Sequence, residues 1–212
     1  MRDHLPQNSL ETRDRYSQNL MRWFFPDGIR GLAGQVWLNY RNLDLAEEIL
    51  RYLYLRAEPM VGAAVANALS PIAENAIIPG SYLTNFIRER FGDSTPDKTI
   101  MRVKSNLRKL GFLAREKGTN DRLRAMAPSS TGFLVVLHHV FAFGEAGSVE
   151  FKRIANNNFW KYLGFKGEDQ LRAILRDSLG KGLLSKYVVA DRLESITFRL
   201  SFSDFVIKRI AA

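Results

Sequence analysis

A run of cations near the middle of the chain has the spacing of one helix face. Residues 97–111 (DKTIMRVKSNLRKLG) hold five Lys or Arg residues and no acidic residue after Asp97. At about 100° per residue, an apolar stripe and a basic stripe fall on opposite sides of a helix. The apolar stripe consists of Ile100, Val103, Leu107 and Leu110. The basic side consists of Lys98, Arg102, Ser105 and Lys109, with Lys104 and Arg108 on a flank. Such a row of ammonium and guanidinium groups favours contact with phosphate or carboxylate groups.

The flanking residues predict the elements that would position this helix. Ser94 and Thr95 are good N-caps, and Pro96 suits a first helical turn, so a helix is expected over 95–110. A helix over 82–91 is expected before it, and strands over 112–116 and 121–127 after it, joined by a Lys-Gly-Thr-Asn turn. This is the element order of a winged helix-turn-helix, in which the second helix can enter the major groove of DNA.

Contact with double-stranded DNA is therefore the leading expectation, through the helix and through backbone contacts of the hairpin. The predicted helix contacts are Thr95, Lys98, Thr99, Arg102, Ser105 and Lys109. The predicted hairpin contacts are Arg115, Lys117, Arg122 and Arg124. The alternatives that stay open are an RNA-binding protein, an adaptor whose basic patch docks an acidic protein, and a solvated basic face without a ligand. An enzyme ranks behind these.

The net charge of +9 is concentrated in two blocks. Residues 98–124 hold 9 basic and 2 acidic side chains, and residues 152–212 hold 12 basic and 6 acidic ones. Two short segments of the second block are similar to segments of the first. Gly182-Leu183-Leu184 corresponds to Gly111-Phe112-Leu113, and Asp191-Arg192-Leu193 to Asp121-Arg122-Leu123. A helix over 168–179 and a hairpin over 183–200 are expected there. The similarity suggests two related winged modules, although the acidic residues of the second helix make it the weaker candidate for groove insertion.

The expected fold is mainly α with short β-hairpins. We predict a helical N-terminal region over 1–76, a winged helix-turn-helix-like module over 77–130 and a helical C-terminal region with a second such module over 131–212. The aromatic residues of 159–165 (FWKYLGF) interleave with lysine, a pattern that could stack bases but is more typical of core packing.

Several chemistries lack support in the sequence. The chain has no cysteine, which excludes disulfides and thiolate catalysis. Its three histidines lack metal-ligand spacing, and no phosphate loop or nucleophile motif is present, so no catalytic residue, metal or cofactor is expected. The longest apolar run, 133–143, contains two histidines and is too short to span a bilayer, and the polar opening residues do not form a signal peptide. A cytoplasmic, non-enzymatic protein is expected.

The chain resembles the BrxA family, small components of bacterial BREX phage-defence systems. The resemblance rests on its size, on Glu11-Thr12-Arg13, on Ser94-Thr95 with Lys104-Ser105-Asn106-Leu107, and on Gly111-Phe112-Leu113. It implies a mostly helical cytosolic protein that binds DNA beside other BREX components. Members have also been compared with the RNA-binding factor NusB, and some have carried an inner-membrane label that conflicts with the hydropathy pattern. The resemblance supplies no catalytic residue.

Overall fold

The fold consists of eleven helices and two small antiparallel sheets in the part of the chain that the computed structural model describes, residues 5–6, 9–190 and 193–208. The helices are α1 Leu10–Phe24, α2 Leu32–Tyr40, α3 Leu43–Ala57, α4 Pro59–Ala63, α5 Tyr82–Phe91, α6 Asp97–Lys109, α7 Ser130–Phe141, α8 Phe151–Ala155, α9 Phe159–Leu163, α10 Glu168–Gly180 and α11 Phe202–Lys208. The strands are β1 Ile77–Ile78, β2 Leu113–Arg115, β3 Asp121–Leu123, β4 Ser148–Glu150, β5 Leu184–Ala190 and β6 Leu193–Phe198. A 3₁₀ turn at Gly28–Arg30 and a π-helical turn at Ala64–Leu69 complete the elements. The predicted mainly α fold with short β-hairpins is confirmed.

The first sheet and its helices form a winged-helix arrangement. The strand order is β1-β3-β2, with all neighbours antiparallel. Helix α4 with its π-helical extension precedes β1, and α5 and α6 lie between β1 and the β2–β3 hairpin. The hairpin turn is closed by Glu116 N–H, which donates to the Asn120 carbonyl at 3.0 Å. The hairpin is thus the wing, and α6 occupies the position of the second helix of the helix-turn-helix.

The second sheet repeats this arrangement. Its order is β4-β6-β5, again antiparallel throughout. Helix α7 precedes β4, the short helices α8 and α9 stand where α5 stands in the first half, and α10 precedes the β5–β6 hairpin. One pair of similar segments falls between a helix and a strand in each half, at Gly111-Phe112-Leu113 and at Gly182-Leu183-Leu184. The two segments occupy equivalent places. Part of the other pair, residues 191–192, lies outside the described residues.

Two hydrophobic cores are joined by helix α3. Leu55, near its end, packs in the core of the first winged arrangement, whereas Leu45, Ile49 and Leu53 pack in the core of the second. A polar contact also crosses between the halves, because Lys166 Nζ donates to the carbonyls of Leu69 at 3.3 Å and Ile72 at 3.2 Å. The segment 9–76 is therefore divided between both cores. Among the described helices, none is both long and apolar enough to cross a membrane.

The aromatic segment 159–165 is part of the second core, as the sequence predicts. Phe159, Trp160 and Phe165 are at most 5% exposed. Phe133 stacks on Phe159 and meets Phe165 edge-on, with ring centroids 5.4 and 5.5 Å apart. The rings of these three residues are covered by core contacts, so none of them has a free face on which a base could stack.

His138 is buried in the same core and is electrically neutral at pH 7. Its ring stacks on Phe205 with centroids 3.8 Å apart, and Nδ1 bonds to the Leu134 carbonyl at 2.8 Å. Burial lowers the pKa of His138 from 6.5 to about 4, although the bond to Leu134 opposes that shift. Because Nδ1 carries the hydrogen that it donates to Leu134, Nε2 of the neutral ring carries only a lone pair. Nε2 has no hydrogen-bond partner, and an unpaired acceptor of this kind costs less than an unpaired N–H. No three His, Cys, Asp or Glu side chains of the described residues are grouped to hold a metal ion.

Acid should destabilise the fold through His138 before the carboxylates titrate. Because the pKa is lower in the folded chain than in the unfolded one, the unfolded chain binds the extra proton, and stability falls as the pH drops from 6.5 towards 4. The expected loss is about 2 kcal/mol at about pH 5. Urea denaturation of the parent and His138→Phe at about pH 7 and pH 5 measures it. The pH-dependent loss should be about 2 kcal/mol smaller in the variant. Equal losses in both proteins would contradict this role, since the remaining titratable groups are shared.

Candidate nucleic-acid interface

The predicted basic side of α6 is exposed, because its apolar stripe is the side that packs. Ile100, Val103 and Leu107 are 2%, 3% and 0% exposed and fix the rotation of the helix about its axis. Lys98, Arg102 and Lys109 are exposed on the outer side, and Thr99 and Ser105 are half-buried beside them. Within the described chain the three cations form no ion pair, so their charges are available to a ligand.

Thr95 does not belong to this exposed face, and its prediction as a DNA-facing residue is wrong. It is only 8% exposed, and its Oγ1 donates to the Gly92 carbonyl at 2.8 Å. The helix begins at Asp97 and no side chain caps it. Pro96 has an extended backbone and itself takes the N-cap position, and it disfavours a helical backbone at Thr95, so the helix starts after both predicted caps. Asp97 accepts instead from Arg88 Nη2 at 2.7 Å, which ties the start of α6 to α5.

The two flank cations, Lys104 and Arg108, are used to hold α6 in place. Lys104 Nζ donates to the Gly80 carbonyl at 2.6 Å and to Thr84 Oγ1 at 2.9 Å. Arg108 makes a two-pronged contact with Asp121, from Nε at 2.7 Å and Nη2 at 2.9 Å. That hydrogen bonding raises the pKa of Arg108, whereas burial lowers the pKa of Lys104. These contacts fix α6 against the start of α5 and against the wing.

The wing carries exposed cations on one side of α6. Arg115, Lys117 and Arg124 are exposed. Arg122 is different, because its guanidinium pairs with Glu116 at 2.7 Å and also donates to the Asn75 carbonyl at 3.3 Å. Of the four predicted wing cations, three are thus free of ion pairs among the described residues, and the fourth is partly neutralised.

An open groove runs along the other side of α6. Its walls are α6 and α1, its floor is α3, and its volume is about 1330 Å³. Five cations line it, Arg22, Arg51, Lys98, Arg102 and Lys109, against the two carboxylates of Glu47 and Glu58. Local sequence patterns do not predict this groove, because its residues come from three separate segments. The adjacent cation and aromatic residue Arg22 and Trp23 of α1 could have indicated a binding surface. The sequence alone does not show that α1 lies beside α6.

The floor of the groove is held by a chain of side-chain contacts. Asn106 Nδ2 donates to the Tyr54 hydroxyl at 2.6 Å, and the Tyr54 ring meets Trp23 edge-on with centroids 5.2 Å apart. Burial, together with the nearby Glu58 carboxylate, raises the pKa of Tyr54. The phenol therefore stays protonated at neutral pH and keeps a hydrogen that it can donate.

Glu58 fastens the end of α1 to this floor. Its Oε1 accepts from Arg22 Nη2 at 2.9 Å and from Trp23 Nε1 at 2.7 Å. The other groove carboxylate, Glu47, lies 3.4 Å from Arg51 Nη2. Both carboxylates are thus paired with arginines of the groove, and the charge left over comes from Lys98, Arg102 and Lys109.

No family model matches the chain, and neither does any curated protein. One solved structure, described as "SspB crystal structure", aligns with a TM-score of 0.49 and 16% sequence identity. The alignment covers 90% of this chain and 63% of that chain, so the protein spans less than two thirds of the neighbour's length. A likeness at this level carries no argument about function.

Two cations of the second winged arrangement are neutralised by carboxylates of the same half. Arg172 of α10 is bound by Glu194 at 3.0 Å, Glu168 at 2.9 Å and Asp169 at 3.3 Å, and these bonds raise its pKa. Lys181 pairs with Asp177 at 2.7 Å. Glu194 also accepts from the Tyr187 hydroxyl. On α10 the carboxylates thus neutralise Arg172, whereas Arg176 is exposed and pairs with no carboxylate of the described chain.

Proposed function

We propose that the protein binds double-stranded DNA and that it does so without catalysis. Helix α6 lies in the major groove, and the wing contacts the adjacent phosphate backbone. The observation that carries this proposal is a set of exposed cations without ion pairs among the described residues, three on the outer side of α6 and three on the wing of the same winged-helix arrangement. Lys98, Arg102 and Lys109 belong to the helix, and Arg115, Lys117 and Arg124 to the wing.

The dimensions of α6 suit this role. From Lys98 to Lys109 the helix rises about 16 Å, and a B-DNA major groove is about 12 Å wide and admits one α-helix. Thr99 and Ser105 bring hydroxyl groups to the same face, where they can hydrogen-bond to base edges or phosphates. Lys and Arg contacts to phosphate supply most of the affinity and little sequence preference. Arg122 has a weaker share in this scheme, because Glu116 already neutralises it.

The cellular setting of the proposal is a BREX-type phage-defence system in the bacterial cytoplasm. It rests on the resemblance to the BrxA family, carried by Glu11-Thr12-Arg13, by Ser94-Thr95 with residues 104–107, and by Gly111-Phe112-Leu113. Other BREX components are the protein partners that this setting implies.

A protein-docking role is the second candidate, and one observation favours it. Ile29, Trp37 and Leu38 are 68%, 40% and 49% exposed and line an apolar pocket of about 330 Å³ between α2 and α3. Exposed apolar patches of this kind often mark protein contacts. Because this pocket shares only Leu50 with the lining of the cationic groove, docking there and DNA binding are separable activities.

Fluorescence anisotropy with duplex DNA, single-stranded DNA and duplex RNA of one sequence tests the main proposal. Duplex DNA should bind most tightly, and its affinity should fall about 10³-fold between about 50 and 200 mM salt if all six free cations meet phosphates. The corresponding slope of log affinity against log salt is about −5. Tighter binding of RNA would favour the RNA alternative, and a salt-independent or absent DNA signal would reject the proposal.

A further inference from the structure

We infer that α1 is a second DNA-contacting element, whose Tyr16, Asn19 and Arg22 receive the phosphate backbone at the edge of the major groove opposite the wing. The inference rests on the proposed binding of duplex DNA by α6. It adds a site that local sequence patterns did not predict, formed by a helix whose Arg22 lies 80 residues before Arg102. The ligand is the sugar-phosphate backbone of the same duplex.

The two flanks of α6 are occupied by different elements. Arg108 points to the wing side, where it binds Asp121, and Asn106 points to the α3 side, where it binds Tyr54. Two residues apart on a helix means about 200° of rotation, so these flanks are nearly opposite. A helix inserted into a major groove has a phosphate backbone on each side. The wing supplies cations on one side of α6, and the cationic groove with α1 as its far wall lies on the other.

Helix α1 is held rigidly at one end, yet it contributes little to the core. None of its residues is buried. Its end is nevertheless fixed by the two hydrogen bonds to Glu58 and by the contact between Trp23 and Tyr54. Packing of Phe24 against the core helps to anchor this end of α1, and it leaves the polar side chains of the earlier turns beside a row of unpaired cations. A ligand that spans the groove would use both walls.

The groups on the wall formed by α1 suit phosphate oxygens. Tyr16, Asn19 and Arg22 line the groove from successive turns and offer a phenol, an amide and a guanidinium, all of which donate hydrogen bonds to DNA backbones. Tyr16 is 45% exposed, and the Arg22 side chain is 63% exposed despite its bond to Glu58. Because five cations face two carboxylates here, the groove attracts an anion. Stacking of a single strand is disfavoured, since Trp23 is already engaged by Tyr54, Glu58 and the Arg22 guanidinium.

The absence of cysteine from the sequence allows a direct test. An iron chelate attached to Asn19→Cys or to Thr119→Cys on the wing cleaves DNA close to its point of attachment. On one bound duplex, we expect the two reagents to cut at opposite edges of the same major groove, on different strands. Tyr16→Cys provides a second position on α1 if Asn19→Cys folds poorly.

Salt dependence gives an independent readout. Arg22→Gln should reduce the slope of log affinity against log salt by about 0.9, the contribution of one phosphate contact. Arg30→Gln is the control, because it removes the same charge from an exposed position that does not line the groove. Cleavage from the wing alone, with an unchanged slope for Arg22→Gln, would overturn the role of α1 and leave duplex binding by α6 intact. Failure of the parent protein to bind duplex DNA would remove both.

Discussion

Charge reversal at Arg102 and Lys109 together should weaken duplex DNA binding by about 100-fold, while the protein stays folded. Both side chains are exposed on α6 and pair with no carboxylate of the described chain. Replacing each by Glu removes a cation from the phosphate backbone and adds a like-charge repulsion. The slope of log affinity against log salt should fall by about 2, because each lost phosphate contact contributes about 0.9. Anisotropy titrations at several salt concentrations give both values, and circular dichroism during thermal unfolding verifies the fold.

The matched control changes the same total charge on the second winged arrangement. Lys152→Glu with Lys186→Glu alters two exposed lysines, of α8 and β5, that form no ion pair with described residues. If net charge alone governed binding, this double variant would lose as much affinity as the α6 variant. A loss confined to the α6 variant localises the interface, whereas equal losses, or an α6 variant that binds like the parent, would contradict the placement of DNA on α6.

Local patterns in the sequence identify α6 and the wing because each depends on nearby residues. The stripe of Ile100, Val103 and Leu107 sets which side of α6 packs, and all three are buried as the spacing predicts. The helix starts two residues later than predicted, because Pro96 is itself extended and takes the N-cap position in place of Ser94 or Thr95. Strand β1 was not predicted: two residues, Ile77 and Ile78, show no alternation and become a strand only by pairing with β3.

The groove and the division of the cations could not be predicted from local patterns. Lys104 and Arg108 resemble their neighbours in sequence, yet Gly80, Thr84 and Asp121, which engage them, lie 13 to 24 residues away. The wall of α1 is more distant still, since Arg22 reaches Glu58 across 36 residues. The repeat of the winged arrangement was visible in sequence, but the neutralisation of Arg172 by Glu194 depends on how β6 returns beside α10. Contacts with residues distant in sequence, rather than local secondary-structure propensity, determine which cations remain without a partner.

Loss of the Arg108 guanidinium should destabilise the fold, because it leaves the buried carboxylate of Asp121 without its partner. Asp121 is 4% exposed, and Arg108 holds both of its oxygens. Arg108→Met keeps most of the side-chain volume but leaves a buried carboxylate without its partner. The expected cost is about 3 kcal/mol of unfolding free energy, at the low end of the range for a broken buried pair because Arg108 itself is 29% exposed. Urea denaturation measures this cost.

A double variant, and a control variant in a second ion pair, show whether the buried carboxylate of Asp121 causes the loss of stability. Arg108→Met combined with Asp121→Leu should recover most of the lost stability, because no uncompensated charge remains. Arg122→Met is the matched control on the same strand: its pair with Glu116 is 42% and 29% exposed, and its loss should cost less than about 1 kcal/mol. If the double variant were as unstable as Arg108→Met alone, the loss would come from packing of the arginine stem rather than from the stranded Asp121. Recovery would instead show that the uncompensated carboxylate of Asp121, and not the packing of the arginine stem, is what destabilises Arg108→Met.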